Sequence, residues 1–116
     1  MKLTIERYKW LRGEGSARSA LLRADDSKMC CLGFYCLALG VPESVFGGAK
    51  MPYTLPQDKR EHLPAWLMDL GEEDYFSHTD VLDLALLNDN VGLDQDAREQ
   101  LIIAVFARHD VQVEFV

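Results

Sequence analysis

Three cysteines, Cys30, Cys31 and Cys36, fall within seven positions of one another in a chain of 116 residues. They are its strongest candidates for chemistry. A thiol at a helix N-terminus is held nearer its thiolate form by the helix end, and Cys31 occupies such a position. A cysteine hydrolase or transferase also needs a histidine base and a group to orient that base. The chain offers His62, His78 and His109 as bases and Asn88 or Asp89 as orienter. None of these lies in a recognisable local signature. The competing reading makes the cysteines small apolar fillers of a core.

Disulfides are disfavoured. On a helix Cys31 and Cys36 lie about 8–9 Å apart, beyond the roughly 7 Å that a bridge spans. The count is odd, and Met1-Lys2-Leu3-Thr4-Ile5-Glu6 turns polar at once rather than reading as a secretory leader. Reduced thiols in a cytoplasmic protein are expected.

Metal and cofactor sites fare no better. The cysteines lack the paired spacing of a structural zinc site. Asn88, Asn90, Gly92, Asp94, Asp96 and Glu99 imitate a calcium loop, but Leu93 stands where that loop needs glycine. Gly13-Glu14-Gly15 and Gly47-Gly48 lack the remainder of any phosphate-cradling motif. We therefore expect no metal and no cofactor.

The elements that would position these residues follow from periodicity. Met29 to Gly40 carries no charge. Leu32, Cys36 and Leu39 recur at helical spacing, and Gly40 with Pro42 supplies a stop. This predicts a central helix over about 30–39, apolar all round and enclosed by other elements. Gly33 inside it calls for another backbone packed closely against it. Thr4 is expected to cap a first helix bearing Ile5, Tyr8 and Leu11 inward. Residues 19–23 read as a short strand, and 41–62, with three prolines and Gly47-Gly48, as a long irregular loop. Pro64 opens a short helix with Trp66 and Leu67. Ser77 and Asp80 resemble a capping box for the next helix. Asp94 caps a last helix over 95–109, with Leu101, Ile102, Val105 and Phe106 inward. Val111, Val113 and Phe115 alternate with polar residues as a terminal strand, for which the strand at 19–23 is the expected partner. The prediction is an α+β fold: one globular domain over 1–116, mostly helical, with a buried cysteine-rich helix and a small antiparallel sheet.

Charge narrows the functional classes. The net charge is −7. Residues 1–28 hold seven basic against four acidic side chains, or +3, so the remainder holds −10. Binding to DNA needs a basic surface, which only the first quarter offers, so nucleic acid is disfavoured. The apolar run is too short to span a bilayer. An acidic face suited to a basic protein partner fits the balance better. Tyr53 and Tyr75, in expected loops, are the aromatic candidates for such a contact, and a homo-oligomer is compatible with the same composition.

Lys9-Trp10-Leu11-Arg12, Leu21-Leu22-Arg23, Cys30-Cys31-Leu32-Gly33 with Cys36, Leu63-Pro64-Ala65-Trp66 and Leu87-Asn88-Asp89-Asn90 occur in that order. In this the chain resembles a family of small bacteriophage and prophage proteins with a CCLGxxC-like segment and a downstream LNDxG-like motif. Leu37 departs from that pattern, which usually has aspartate there, and Val91 lengthens the spacing to Gly92. The resemblance implies a phage or prophage origin, and so the cytoplasm of a bacterial host, without implying a chemistry. The combined expectation is an accessory protein that binds a host or phage macromolecule without catalysis. The alternative is a small cysteine-dependent hydrolase or transferase using Cys31.

Overall fold

The N-terminal Lys2-Leu3-Thr4-Ile5 alternates exposed and buried side chains and forms strand β1 (Lys2–Ile5). In the computed structural model, which describes residues 1–13, 20–69 and 79–116, β1 pairs with β2 (Gln112–Phe115), its neighbour from the far end of the sequence. The two run parallel, with Leu3 opposite Val113 and Ile5 opposite Phe115.

This corrects three expectations. The sheet is parallel rather than antiparallel. The first element is a strand followed by a single 3-10 turn at Arg7–Lys9 rather than a helix, and Tyr8, expected inward, is exposed. The Ile5, Tyr8, Leu11 spacing imitates a helix face, but Leu3 and Ile5 alternate with Lys2 and Thr4, and their burial against β2 decides the outcome. The partner strand expected at 19–23 does not form. Ser19 lies outside the described residues, and 20–23 run irregularly, Leu21 N–H donating to Ala49 O (2.9 Å) and Arg23 N–H to Lys28 O (2.7 Å).

The central helix forms as α1 (Cys31–Ala38), and its residues 31–36 are all buried. Its glycine has a physical cause. A Cβ on Gly33 would lie 2.1 Å from the Leu21 carbonyl oxygen, so only glycine lets the 20–23 segment cross the helix at this height.

The 41–69 connection is not one loop but a chain of single turns: 3-10 turns at Glu43–Val45 and Pro52–Thr54, the short helix α2 (Gln57–Arg60), and a 3-10 turn at Ala65–Met68 in place of the helix expected after Pro64. Prolines precede or open each of them, fixing φ where the turn needs it. Helix α3 (Asp80–Asp89) follows; Ser77 of the expected capping box lies outside the described residues. Helix α4 (Gln95–Ala107) is capped as expected, Asp94 Oδ2 accepting from Ala97 N–H at 3.3 Å. Leu101, expected inward, is exposed, while Ile102, Val105 and Phe106 are buried.

Around α1 the core gathers Leu3 and Ile5 of β1, Val81 and Leu84 of α3, Ile102 and Phe106 of α4 and Val113 of β2. Aromatic rings tie the 65–68 turn to this centre: Tyr35 stacks near Trp66 at 5.7 Å and meets Phe106 edge-on at 5.1 Å. No described helix is long and apolar enough to cross a membrane.

Candidate functional site

The cysteines lie in the core. Cys31 and Cys36 have no solvent exposure and Cys30 has 1%. All three are free thiols. Burial pushes the Cys30 and Cys36 thiols up to about 12, and raises Cys31 well above its ordinary value. Asp89, at the end of α3, adds to the rise at Cys30 and Cys31. Desolvation thus outweighs the favourable helix N-terminus at Cys31, and the protonated thiol is the resting form. Its S–H points to the Leu84 carbonyl at 3.8 Å.

Among the described residues, the hydrogen bonds of Asn88 go to Trp10, Cys31 and Leu11 rather than to a histidine. Asn88 is fully buried and organises the start of α1. Its Oδ1 accepts from Trp10 Nε1–H at 2.8 Å and from the Cys31 backbone N–H at 3.0 Å, and its Nδ2 donates to Leu11 O at 2.7 Å. Cys30, at the helix N-cap, provides no side-chain capping bond. A side chain 57 positions downstream therefore satisfies an N–H that the helix itself leaves unpaired.

Arg98 was not singled out by the sequence, yet it completes this structure. Its guanidinium is buried and donates to the carbonyls of Leu87 (2.6 Å), Asn88 (3.1 Å), Asn90 (2.6 Å) and Leu93 (3.1 Å). It thereby closes the C-terminus of α3 with a cation, the favourable sign at that end. Gly13 N–H donates to Asn88 O at 2.9 Å from the other side. A Cβ on Gly13 would sit 2.7 Å from Arg98 Nη2, and its φ of +45° also favours glycine. The signal available in the sequence was an arginine one turn into a helix whose preceding loop is rich in Asn and Asp. The expected helix face does not distinguish it from a solvated charge.

The imidazoles are elsewhere. His62 is exposed after α2, and His78 lies outside the described residues. His109 is half-buried, stacked on Trp66 with centroids 3.9 Å apart and planes within 6°, and its Nε2 shares a 2.6 Å hydrogen bond with Asp80 Oδ2. Arg108 Nη1 donates to the other Asp80 oxygen at 2.8 Å. Burial pushes the Asp80 carboxyl up, but the bonds and charges of His109 and Arg108 outweigh it and hold it below 3.8. A histidine paired with aspartate is part of a hydrolytic triad. Among the described residues, however, the structure gives His109 no hydrogen bond to a thiol or hydroxyl. The pair instead joins the end of α4 to the start of α3 and to the 65–68 turn.

The imitation calcium loop resolves as an ordinary turn. Asn90 Oδ1 accepts from Gly92 N–H at 3.0 Å, and Asp94 is occupied as the cap of α4. Among the described residues, no three His, Cys, Asp or Glu side chains gather as metal ligands.

The surface offers a different kind of site. Tyr53 is 39% exposed and lines two open grooves. One, of about 560 Å³, runs past Phe46, Ala49, Met51 and Pro56. The other, of about 610 Å³, runs past Gln57, Arg60 and Met68. The Tyr53 backbone carbonyl accepts from Arg60 Nη1 at 3.1 Å, which ties the turn to α2. Tyr75 lies outside the described residues. No family model matches this chain, and no curated protein or solved structure is significantly similar to it.

Proposed function

We propose that the protein is a non-catalytic accessory protein, of phage or prophage origin and acting in the bacterial host's cytoplasm, that binds a host or phage protein. The observation that supports this reading best is Tyr53. It is an exposed aromatic on a turn fixed by prolines, with an open groove on either side, the arrangement in which a rigid ring anchors a partner at little entropic cost. The acidic excess supplies long-range attraction. Of the net −10 carried after residue 28, −9 belongs to residues 70–116, which hold eleven acidic and two basic side chains. A basic partner would be steered toward that half of the chain.

The test is affinity capture from host lysate with wild type and Tyr53→Ala in parallel. Because Tyr53 is exposed, the substitution is expected to shift stability by no more than about 0.5 kcal/mol. A partner retained by wild type and lost or strongly depleted with Tyr53→Ala supports the reading. Equal recovery with both proteins, or recovery of none, contradicts it.

A further inference from the structure

The parallel pair β1–β2 uses one edge of each strand. Gln112 N–H donates to Met1 O (2.8 Å), Val116 N–H to Ile5 O (3.0 Å) and Arg7 N–H to Val116 O (2.8 Å). In a parallel ladder this register directs the peptide groups of alternate β1 residues, Met1, Leu3, Ile5 and Arg7, toward β2. The N–H and C=O groups of Lys2 and Thr4 and the N–H of Glu6 then point the opposite way. Among the described residues nothing pairs with them. The backbone stays extended through Glu6, with φ −82° and ψ 114°, so this edge is five residues long.

Three features of the edge fit one occupant. Its outward side chains are Lys2, Thr4 and Glu6, a cation, a hydroxyl and an anion spaced evenly about the central threonine. An antiparallel copy of the same edge, centred on Thr4, places Lys2 of each chain opposite Glu6 of the other and the two threonines opposite each other. Second, the Glu6 side chain is 38% exposed and its ion pair within the chain is loose, Lys9 Nζ lying 3.9 Å from Oε2. Third, a groove of about 290 Å³ runs along this edge, with Met29, Phe34, Leu37 and Ala38 as its apolar part. The outer edge of β2 has no such symmetry: Gln112 would face Glu114, and no charge would be matched.

The geometry points to a homodimer in which the β1 edges of two chains pair antiparallel about Thr4, giving a four-stranded sheet in the order β2–β1–β1–β2. The Thr4 pair exchanges two backbone hydrogen bonds, and each Glu6 N–H donates to Lys2 O of the other chain. Lys2, which on a lone edge would discourage indiscriminate strand addition, is neutralised here by Glu6 of the second copy. Its ammonium has donors to spare for Glu114 Oε2, at 3.0 Å within its own chain. This dimer does not depend on the partner-binding reading of Tyr53.

Sedimentation equilibrium of untagged protein tests it. Wild type is expected at twice 13.1 kDa. Lys2→Glu and Glu6→Lys alone each set like charges opposite at two places and are expected to weaken dimerisation at least about tenfold. Mixing these two variants restores complementary pairs and is expected to recover the dimer mass, an outcome that misfolding of either variant would not give. Thr4→Pro, which removes an outward N–H, is expected to be monomeric with an unchanged far-UV circular dichroism spectrum. Monomeric wild type at the highest soluble concentration overturns the proposal, as does a Lys2→Glu variant that dimerises as well as wild type.

Discussion

The start of α1 and the 41–69 connection use polar groups in opposite ways. Around α1, Asn88 and Arg98 have no solvent exposure, and their donors and acceptors are aimed at backbone groups that would otherwise be buried unpaired. In the 41–69 connection, short turns set by prolines hold side chains such as Tyr53 outward beside open grooves. The residue types that attract a chemist's eye, three cysteines and an asparagine, belong to the first region and serve its packing. The second region has no catalytic residue type in a recognisable pattern, yet it presents the accessible shape. Chemical suggestiveness and accessibility are thus separated in this molecule. A buried thiol with its pKa raised is filler however many bases the chain contains.

Perturbing the first region sharpens the contrast most. Gly33→Ala puts a Cβ against the Leu21 carbonyl, a backbone atom that cannot step aside without moving the 20–23 segment. It is expected to cost at least about 3 kcal/mol and to leave the chain insoluble or molten by near-UV circular dichroism. Asn88→Leu comes next. It keeps the branched shape but strands Trp10 Nε1–H, the Cys31 N–H and the Leu11 carbonyl in an apolar interior. A loss of about 3–5 kcal/mol in urea denaturation is expected, since each unpaired buried group costs about 1–3 kcal/mol.

The smallest effect falls between the two regions, at Asp80. Its pKa is lowered in the folded chain, so the stability it contributes is in place above pH 3.8 and is lost as pH falls through the lower, folded value. Asp80→Asn should destabilise less than Asn88→Leu at pH 7 and should flatten the acid limb of a melting-temperature profile. An unchanged acid limb would mean that the Asp80, His109 and Arg108 bonds contribute nothing.

How far all this was legible in the sequence differs between the same two regions. The central helix was legible because twelve uncharged residues with a glycine-proline stop leave few alternatives, and Gly33 signalled a close backbone. Asp94 was legible as a cap because N-capping is local chemistry. Strand β1 was not, because four residues carry too little periodicity to outvote a coincidental helical spacing that continues to Leu11. Its parallel pairing depends on a partner more than 100 positions away. The roles of Asn88 and Arg98 were hidden for the same reason: an amide and a guanidinium look alike in a solvated loop and in a buried cap until the chain is folded around them.

The most direct measurement is alkylation by iodoacetamide at pH 7, followed by intact mass, in native protein and in guanidinium. Buried filler predicts no adduct over hours in the native state and three once the chain is unfolded, one for each of Cys30, Cys31 and Cys36. A single adduct on Cys31 in the folded protein, formed faster than on free cysteine, would contradict the account and return the thiol to the centre of the function.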